Sequence, residues 1–266
     1  MSLSSRGVFR KVGPPLLPFV FIVAVAEIAV RAGWIQEFLF PAPSSVLKTL
    51  SDDRHELFQG FSETALAAIV GLILSFIVGV GFAIVLSASS FLRRAFLPYA
   101  IFFQTVPIIS IAPLLVIWFG FGRPTVIASA FIVSIFPIVA STLLGLQSTD
   151  PALIDLFRLY SGSRWSQMVK LRIPFALPQI FSGLKIATGL AVIGAIVGEF
   201  IGGGGLGSVV DAARTQQRTD KVFAAVLISS ALGLALVGFI NFLSWSALRH
   251  WHASYRAAGR PHGDLG

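Results

Sequence analysis

Six apolar stretches, each close to 20 residues or longer, limit what this chain can fold into. They cover 16–32, 65–87, 96–119, 125–146, 179–201 and 222–248. A helix needs about 20 mostly apolar residues to cross the hydrocarbon core of a bilayer. Inside lipid a segment must satisfy its own backbone polar groups, which a helix does and an open strand does not. The pattern therefore predicts an all-α integral membrane protein with about six transmembrane helices. Charge agrees with it. Only 12% of the 266 residues are charged, against about 25% in soluble domains. A soluble globule of this size would lack polar cover, whereas a surface facing lipid needs none.

The basic residues give an orientation. They sit between the apolar runs rather than among exposed aromatics, so the net charge of +8 reads as loop charge and not as a nucleic-acid surface. Placing the N-terminus in the cytoplasm puts Arg6, Arg10, Lys11, Arg93, Arg94, Arg158, Arg164, Lys170, Arg172, Arg249, Arg256 and Arg260 inside. Seven others fall outside, and Lys185 lies within the fifth span. Positive charge close to span ends favours the cytoplasmic side. An even number of spans then leaves residues 1–15 and 249–266 as cytoplasmic tails around a membrane domain of 16–248. Ala24-Val25-Ala26 resembles a cleavage site, but the apolar run continues past it to Trp34, which reads as an uncleaved first helix.

Several chemistries find no support. There is no cysteine, and the four histidines (His55, His250, His252 and His262) do not pair with carboxylates at zinc-ligand spacing. No Gly-Lys-Ser/Thr phosphate loop occurs. Residues 202–207 fit Gly-x-Gly-x-x-Gly but end a span, where a dinucleotide site needs a strand before it; they read as a flexible turn at the outer surface. No cofactor or metal is expected.

Other residues carry local expectations. Pro98, Pro107 and Pro113, with Gln104, interrupt the third span, which predicts a broken helix facing the bundle interior. Gly194, Gly198 and Gly202 recur every four residues, a spacing that lets two helices approach closely. Glu199 is an ionisable residue near a span end; it faces a cavity or accepts hydrogen bonds from the glycine-rich backbone beside it. Glu27 and Arg31, four apart, are expected to pair. After Pro41 and Pro43, Ser44 or Ser45 is expected to cap a short helix beginning near Val46.

The segment 150–178 is neither span nor linker. Pro151 suits the first turn of a helix, and Leu153, Leu156, Phe157 and Tyr160 follow at helical spacing. Ser161-Gly162 breaks that helix. A second short amphipathic piece is expected to end at Pro174 and Pro178.

This segment resembles the cytoplasmic coupling loop of binding-protein-dependent ABC importer permeases. That loop reads Glu-Ala-Ala, three residues, Gly, nine residues, Ile, one residue, Leu-Pro. Asp155 stands at the Glu, Leu156 and Phe157 at the alanines, Ser161 at the Gly with Gly162 one place late, Leu171 at the Ile, and Ile173-Pro174 at the Leu-Pro. Pro41-Ala42-Pro43-Ser44, Gln104 through Pro107, Ala112-Pro113-Leu114, Trp118-Phe119-Gly120 and Gly205-Leu206-Gly207 resemble the branch that carries nitrate, sulfonates and taurine. The resemblance implies a type I, MetI-like permease fold in the bacterial inner membrane, forming a homodimer with two ABC ATPase subunits and a periplasmic or lipid-anchored solute-binding protein. ATP would bind the ATPase partner, and the chain itself would not be an enzyme. Asp155, Leu156, Phe157, Tyr160, Ser161, Gly162, Leu171, Ile173 and Pro174 would couple to that partner. Gln104, Pro107 and Glu199 would border a pathway for a small anionic solute.

Two other classes fit less well. An ion-coupled secondary transporter usually carries inverted repeats and buried ionisable relays, and a membrane enzyme needs converging catalytic groups; the sequence displays neither. The topology makes one direct prediction. Because the chain has no native cysteine, a single cysteine at position 163 should resist an impermeant maleimide applied outside intact spheroplasts and react once the membrane is opened. Labelling from outside would reverse the assignment of sides.

Overall fold

The computed structural model describes residues 5–159 and 163–249, with side chains from residue 17 onward. Its regular structure there is all helical: α1 (Ser5–Arg31), α2 (Pro43–Asp52), α3 (Arg54–Ala88), α4 (Ser90–Thr105), α5 (Ile108–Phe119), α6 (Arg123–Gln147), α7 (Pro151–Leu159), α8 (Arg164–Gln167), a π-helical turn (Met168–Arg172), α9 (Ile173–Gly202), α10 (Gly205–Thr215) and α11 (Thr219–Leu248). Among the described residues four helical stretches are long and apolar enough to cross a membrane: Arg54–Ala88, Arg123–Gln147, Arg164–Gly202 and Thr219–Leu248. Counting the bent pair α4–α5 as one span gives a fifth. The first expected span, 16–32, lies in α1 and is described with its side chains only in part.

The third expected span is broken more sharply than its prolines alone suggest. Its halves meet at 99°. Val106, forced out of helical geometry by the proline that follows it, is extended at φ −73° and ψ 122°, and Pro107 caps α5. Only the second half turns inward, burying Ala112 and Leu115, whereas α4 buries none of its residues within this chain. The expectation of an interior-facing span thus holds for α5 and not for α4.

The centre of the fold is the pair α6–α9, with α3 laid against both. Glycine makes their approach possible. A Cβ at Gly194 would lie 2.8 Å from the Ser129 carbonyl oxygen and 2.9 Å from Ala130 Cα, and one at Gly198 would lie 2.8 Å from Ser129 Oγ. The expected four-residue glycine stripe is therefore a packing seam. It extends further, with Gly183 facing Ser141 and, from the α6 side, Gly145 facing Ala176 and Gln179. The α3–α6 contact is polar at its middle: Ser75 and Ser134 share a 2.7 Å hydroxyl hydrogen bond, and the Ser75 hydroxyl also donates to the Phe131 carbonyl at 2.9 Å.

Pro174 and Pro178 do not end the helix before α9. The backbone stays helical from Arg164 to Gly202. Pro174 has no N–H to offer the carbonyl four residues back, and the π-turn just before it reroutes the bonding, so that the Ile173 N–H donates to Met168 O, five residues earlier. The second half of the 150–178 segment is therefore the foot of a span and not a free-standing piece.

The helix expected near Val46 begins three residues earlier, at Pro43, and neither serine caps it. The Ser44 N–H and hydroxyl both donate to the Glu27 carboxylate of α1, at 3.0 and 2.7 Å. Glu27 also pairs with Arg31 at 2.6 Å, as expected. Asp52 is exposed, and Asp53 and Glu56, the latter also exposed on one side, build a clamp between α2, α3 and α11. Arg218 meets Asp53 at 2.8 Å and Asp220 at 3.1 Å, while the Lys221 ammonium, 8% exposed, donates to Glu56 at 2.5 Å.

Two substitutions test this packing. Gly194→Val should destabilise the purified subunit by about 1–3 kcal/mol, the usual cost of overpacking, because its neighbours are α6 backbone. Gly189→Ala, where a Cβ meets nothing within 4 Å, should be neutral or raise the unfolding temperature. Separately, Lys221→Met should cost about 1–2 kcal/mol, less than the 3–5 of a fully buried broken pair, since Glu56 stays 52% exposed. The exposed Lys48→Met is its control in the same thermal melt.

Candidate functional site

Two regions at opposite ends of α9 draw together the residues singled out in the sequence. At the N-terminal end, α7 starts at Pro151 as its sequence predicts. The Asp150 carboxylate accepts from the Ala152 N–H at 2.9 Å, which caps the helix. No residue of α7 is buried. Leu153, Leu156 and Leu159 are 39, 50 and 80% exposed, and Trp165 at the start of α8 is 73% exposed. Phe157 is half-buried. The Asp155–Arg158 pair at 3.2 Å is open to solvent on both sides and contributes little to stability.

The other expected coupling residues divide. Leu171 sits in the π-turn, Ile173 and Pro174 in the first turn of α9, all half-buried. Ile173 packs on the cluster of Leu146, Met168, Ala176 and Ile180, so it fixes the segment to the spans and is not free surface. Tyr160, Ser161 and Gly162 lie outside the described residues. Sequence reasoning assigned no role to Leu159 or Trp165. Leu159 follows Leu156 at helical spacing, and that signal was available; Trp165 sits beyond the break and gave none. Around the π-turn, Gln167 Nε2, Arg172 Nε and, just after α6, Thr149 Oγ1 are buried without a hydrogen-bond partner among the described residues.

At the C-terminal end of α9 the glycine run makes the expected turn, and its second half, from Gly205, is already helix. Gly203, Gly204 and Gly205 take φ of +81°, +85° and +64°, the left-handed region that glycine enters without strain. They reverse the chain into α10, an 11-residue helix. Its own N-terminal residues provide no side-chain cap. Instead the Gly205 N–H donates to Glu63 Oε2 at 2.8 Å, the Leu206 N–H to Thr64 Oγ1 at 2.9 Å, and the Gly207 N–H to Glu199 Oε2 at 2.8 Å. Glu199 is 2% exposed. A Cβ at Gly205 would overlap the Glu199 carboxylate, and one at Gly207 would lie 2.6 Å from Glu199 Cβ. Of the two expectations for Glu199, hydrogen bonding to the glycine-rich backbone is what the geometry shows. The same carboxylate also borders a cavity of about 390 Å³, with Glu63, Arg123 and Val126 among its other walls. Gln104 and Pro107 lie at the α4–α5 bend, both exposed. Among the described residues no cluster of histidine and acidic side chains could hold a metal ion.

Comparison with known proteins shows the family. Residues 71–246 match the family described as binding-protein-dependent transport system inner membrane component. A probable ABC transporter permease protein of Haemophilus influenzae is 35% identical over 230 residues, 86% of this chain and 94% of its own. The formylaminopyrimidine transport permease protein ThiX of Halalkalibacterium halodurans is 34% identical over 83% of this chain and 88% of its own. The putative aliphatic sulfonates transport permease protein SsuC of Bacillus subtilis is 28% identical over 90% and 87%. Among solved structures, an inward-facing conformation of the MetNI methionine ABC transporter superposes with a TM-score of 0.61 at 21% identity, covering 77% of this chain and 96% of the other, which shows a shared fold. With its spans, its exposed loop helix and these relatives in view, the chain belongs to the membrane-embedded permeases of binding-protein-dependent ABC importers, in which ATP hydrolysis is the task of a separate subunit.

Proposed function

We propose that the chain forms the solute pathway of a type I importer with six spans per copy, two copies of the permease, two ATPase subunits and a solute-binding protein on the outer side. Both termini and the 150–178 segment face the cytoplasm in this reading, in line with the distribution of basic residues. The observation that carries it is α7. Leu153, Leu156 and Leu159 are exposed on a helix with no fully buried residue, and burying each such side chain is worth about 1.5–3 kcal/mol. A groove on a soluble ATPase would take this face, with Leu156 and Phe157 as anchors and Asp155 at the rim; large apolar anchors commonly dominate such contacts. Leu171, Ile173 and Pro174 then pass the movement directly into α9.

The solute we propose is small and anionic. SsuC is named for aliphatic sulfonates, and the motifs of the nitrate and sulfonate branch run through this chain. ThiX, named for formylaminopyrimidine, marks the competing class. Gln104 and Pro107, exposed at the α4–α5 bend, are the pathway residues in this reading, and Glu199 borders the cavity at the far end of α9.

The test joins association to transport. Phe157→Asp and Leu156→Asp should each reduce co-purification of the ATPase at least tenfold, or abolish coupling of hydrolysis to uptake in vesicles, while membrane insertion stays normal. Wild-type association and coupling in both variants would remove this helix as the interface. Gradient-driven uptake by the chain without any ATPase would favour the secondary-transporter class. Competition by an alkanesulfonate, nitrate and formylaminopyrimidine in the same vesicles assigns the solute.

A further inference from the structure

The capping of α10 is borrowed, and that has a mechanical consequence. Its first three N–H groups are held by acceptors from two other helices, Glu63 and Thr64 of α3 and Glu199 of α9. The three bonds measure 2.8–2.9 Å, and a hydrogen bond is lost beyond about 3.5 Å. With these side-chain rotamers, a displacement that carries the α9 acceptor away from the α3 acceptors by more than about 1.5 Å breaks at least one of them. α9 is also the helix that joins this end of the molecule to the 150–178 segment. Through the π-turn it is continuous with α8 from Arg164 to Gly202, 39 residues, or about 58 Å at 1.5 Å per residue. At its foot, buried Gln167 Nε2, Arg172 Nε and Thr149 Oγ1 have no hydrogen-bond partner among the described residues, so a shift there sacrifices no side-chain hydrogen bond between those atoms and the described residues. At its head, the cavity beside Glu63 and Glu199 gives the first turn of α10 room to move.

We infer that Glu63, Thr64 and Glu199 form a clasp that holds α10 shut against α3 and α9, and that the rod Arg164–Gly202 opens it when the ATPase moves the opposite end. Glu63 and Thr64 are positioning residues: they act through the backbone of α10 and not on the solute. The inference rests on the importer reading of the 150–178 segment. The close fit needs glycine at both positions: a Cβ at Gly205 would overlap the Glu199 carboxylate, and one at Gly207 would meet Glu199 Cβ and the Ile196 carbonyl. The clasp also separates charge from acceptor. A glutamine keeps an oxygen for the N–H of Gly205 or Gly207, and a leucine does not.

Leu206, fully buried within α10, reports the clasp. Leu206→Cys is made in the cysteine-free chain, assembled with its ATPase in nanodiscs, and its reaction with a water-soluble maleimide is timed without nucleotide and after trapping with ATP and vanadate. The two states should differ at least tenfold in rate. In this background Glu63→Leu and Glu199→Leu should react fast in both states, and Glu63→Gln and Glu199→Gln should keep the difference. Ala213→Cys, 1% exposed on the same helix, replaces Leu206→Cys if that variant does not assemble. Equal rates in both states, in a complex that binds and traps nucleotide, overturn the clasp and leave the importer reading standing. An ATPase that neither binds the chain nor traps nucleotide overturns the importer reading, and the lever with it.

Discussion

The separation between α6 and α9 sets every other distance in this protein. In lipid, apolar side chains gain little by leaving the hydrocarbon for one another, so helices hold together through close van der Waals contact and a few interhelical hydrogen bonds. Gly183, Gly194, Gly198 and Gly202 on one helix and Gly145 on the other bring backbone against side chain along the whole seam. α3 then joins by Ser75 and Ser134 at its middle and by Ala67 and Ala68 nearer its start, where they cluster with Val126, Ala130, Val192 and Ala195. Because α3 and α9 are both referred to α6, the acceptors Glu63, Thr64 and Glu199 come to one place, and α10 exists only there.

The long-range part of the structure was the part hidden in the sequence. Spans 65–87, 125–146, 179–201 and 222–248 are legible from hydropathy because each helix satisfies its own backbone. The glycine stripe at 194, 198 and 202 and the Glu27–Arg31 pair are legible because both depend on helical spacing alone. α7 shows itself through Pro151 and its apolar period. α10 does not: an 11-residue helix opening on glycines reads as a turn, and two of its three caps come from residues 142 positions earlier. Ser44 misled for the same reason, since the acceptor that fixes it belongs to α1.

The prolines divide in an instructive way. Pro107 does what a proline is expected to do, and the chain turns by 99° beside it. Pro174 looks equally disruptive and is not, because a π-turn directly upstream lets the Ile173 N–H reach Met168 O, and Pro178 sits within the continuing α9. The proline alone does not separate the cases. What differs is packing: Ile173, Ala176 and Ile180 are seated on Leu146 and Met168, whereas none of α4 before the bend is buried within this chain.

A π-turn amounts to one extra residue let into an α-helix, and an α-helix advances about 100° per residue. The turn at Met168–Arg172 therefore sets a dial between the two ends of the rod. The glycine seam fixes the azimuth of α9 around its axis; the inserted residue decides which compass bearing α7 and Trp165 take below it. Relatives that keep the same spans yet lose or gain a residue here would present their loop helix in another direction, and a different partner would fit beneath an unchanged set of spans.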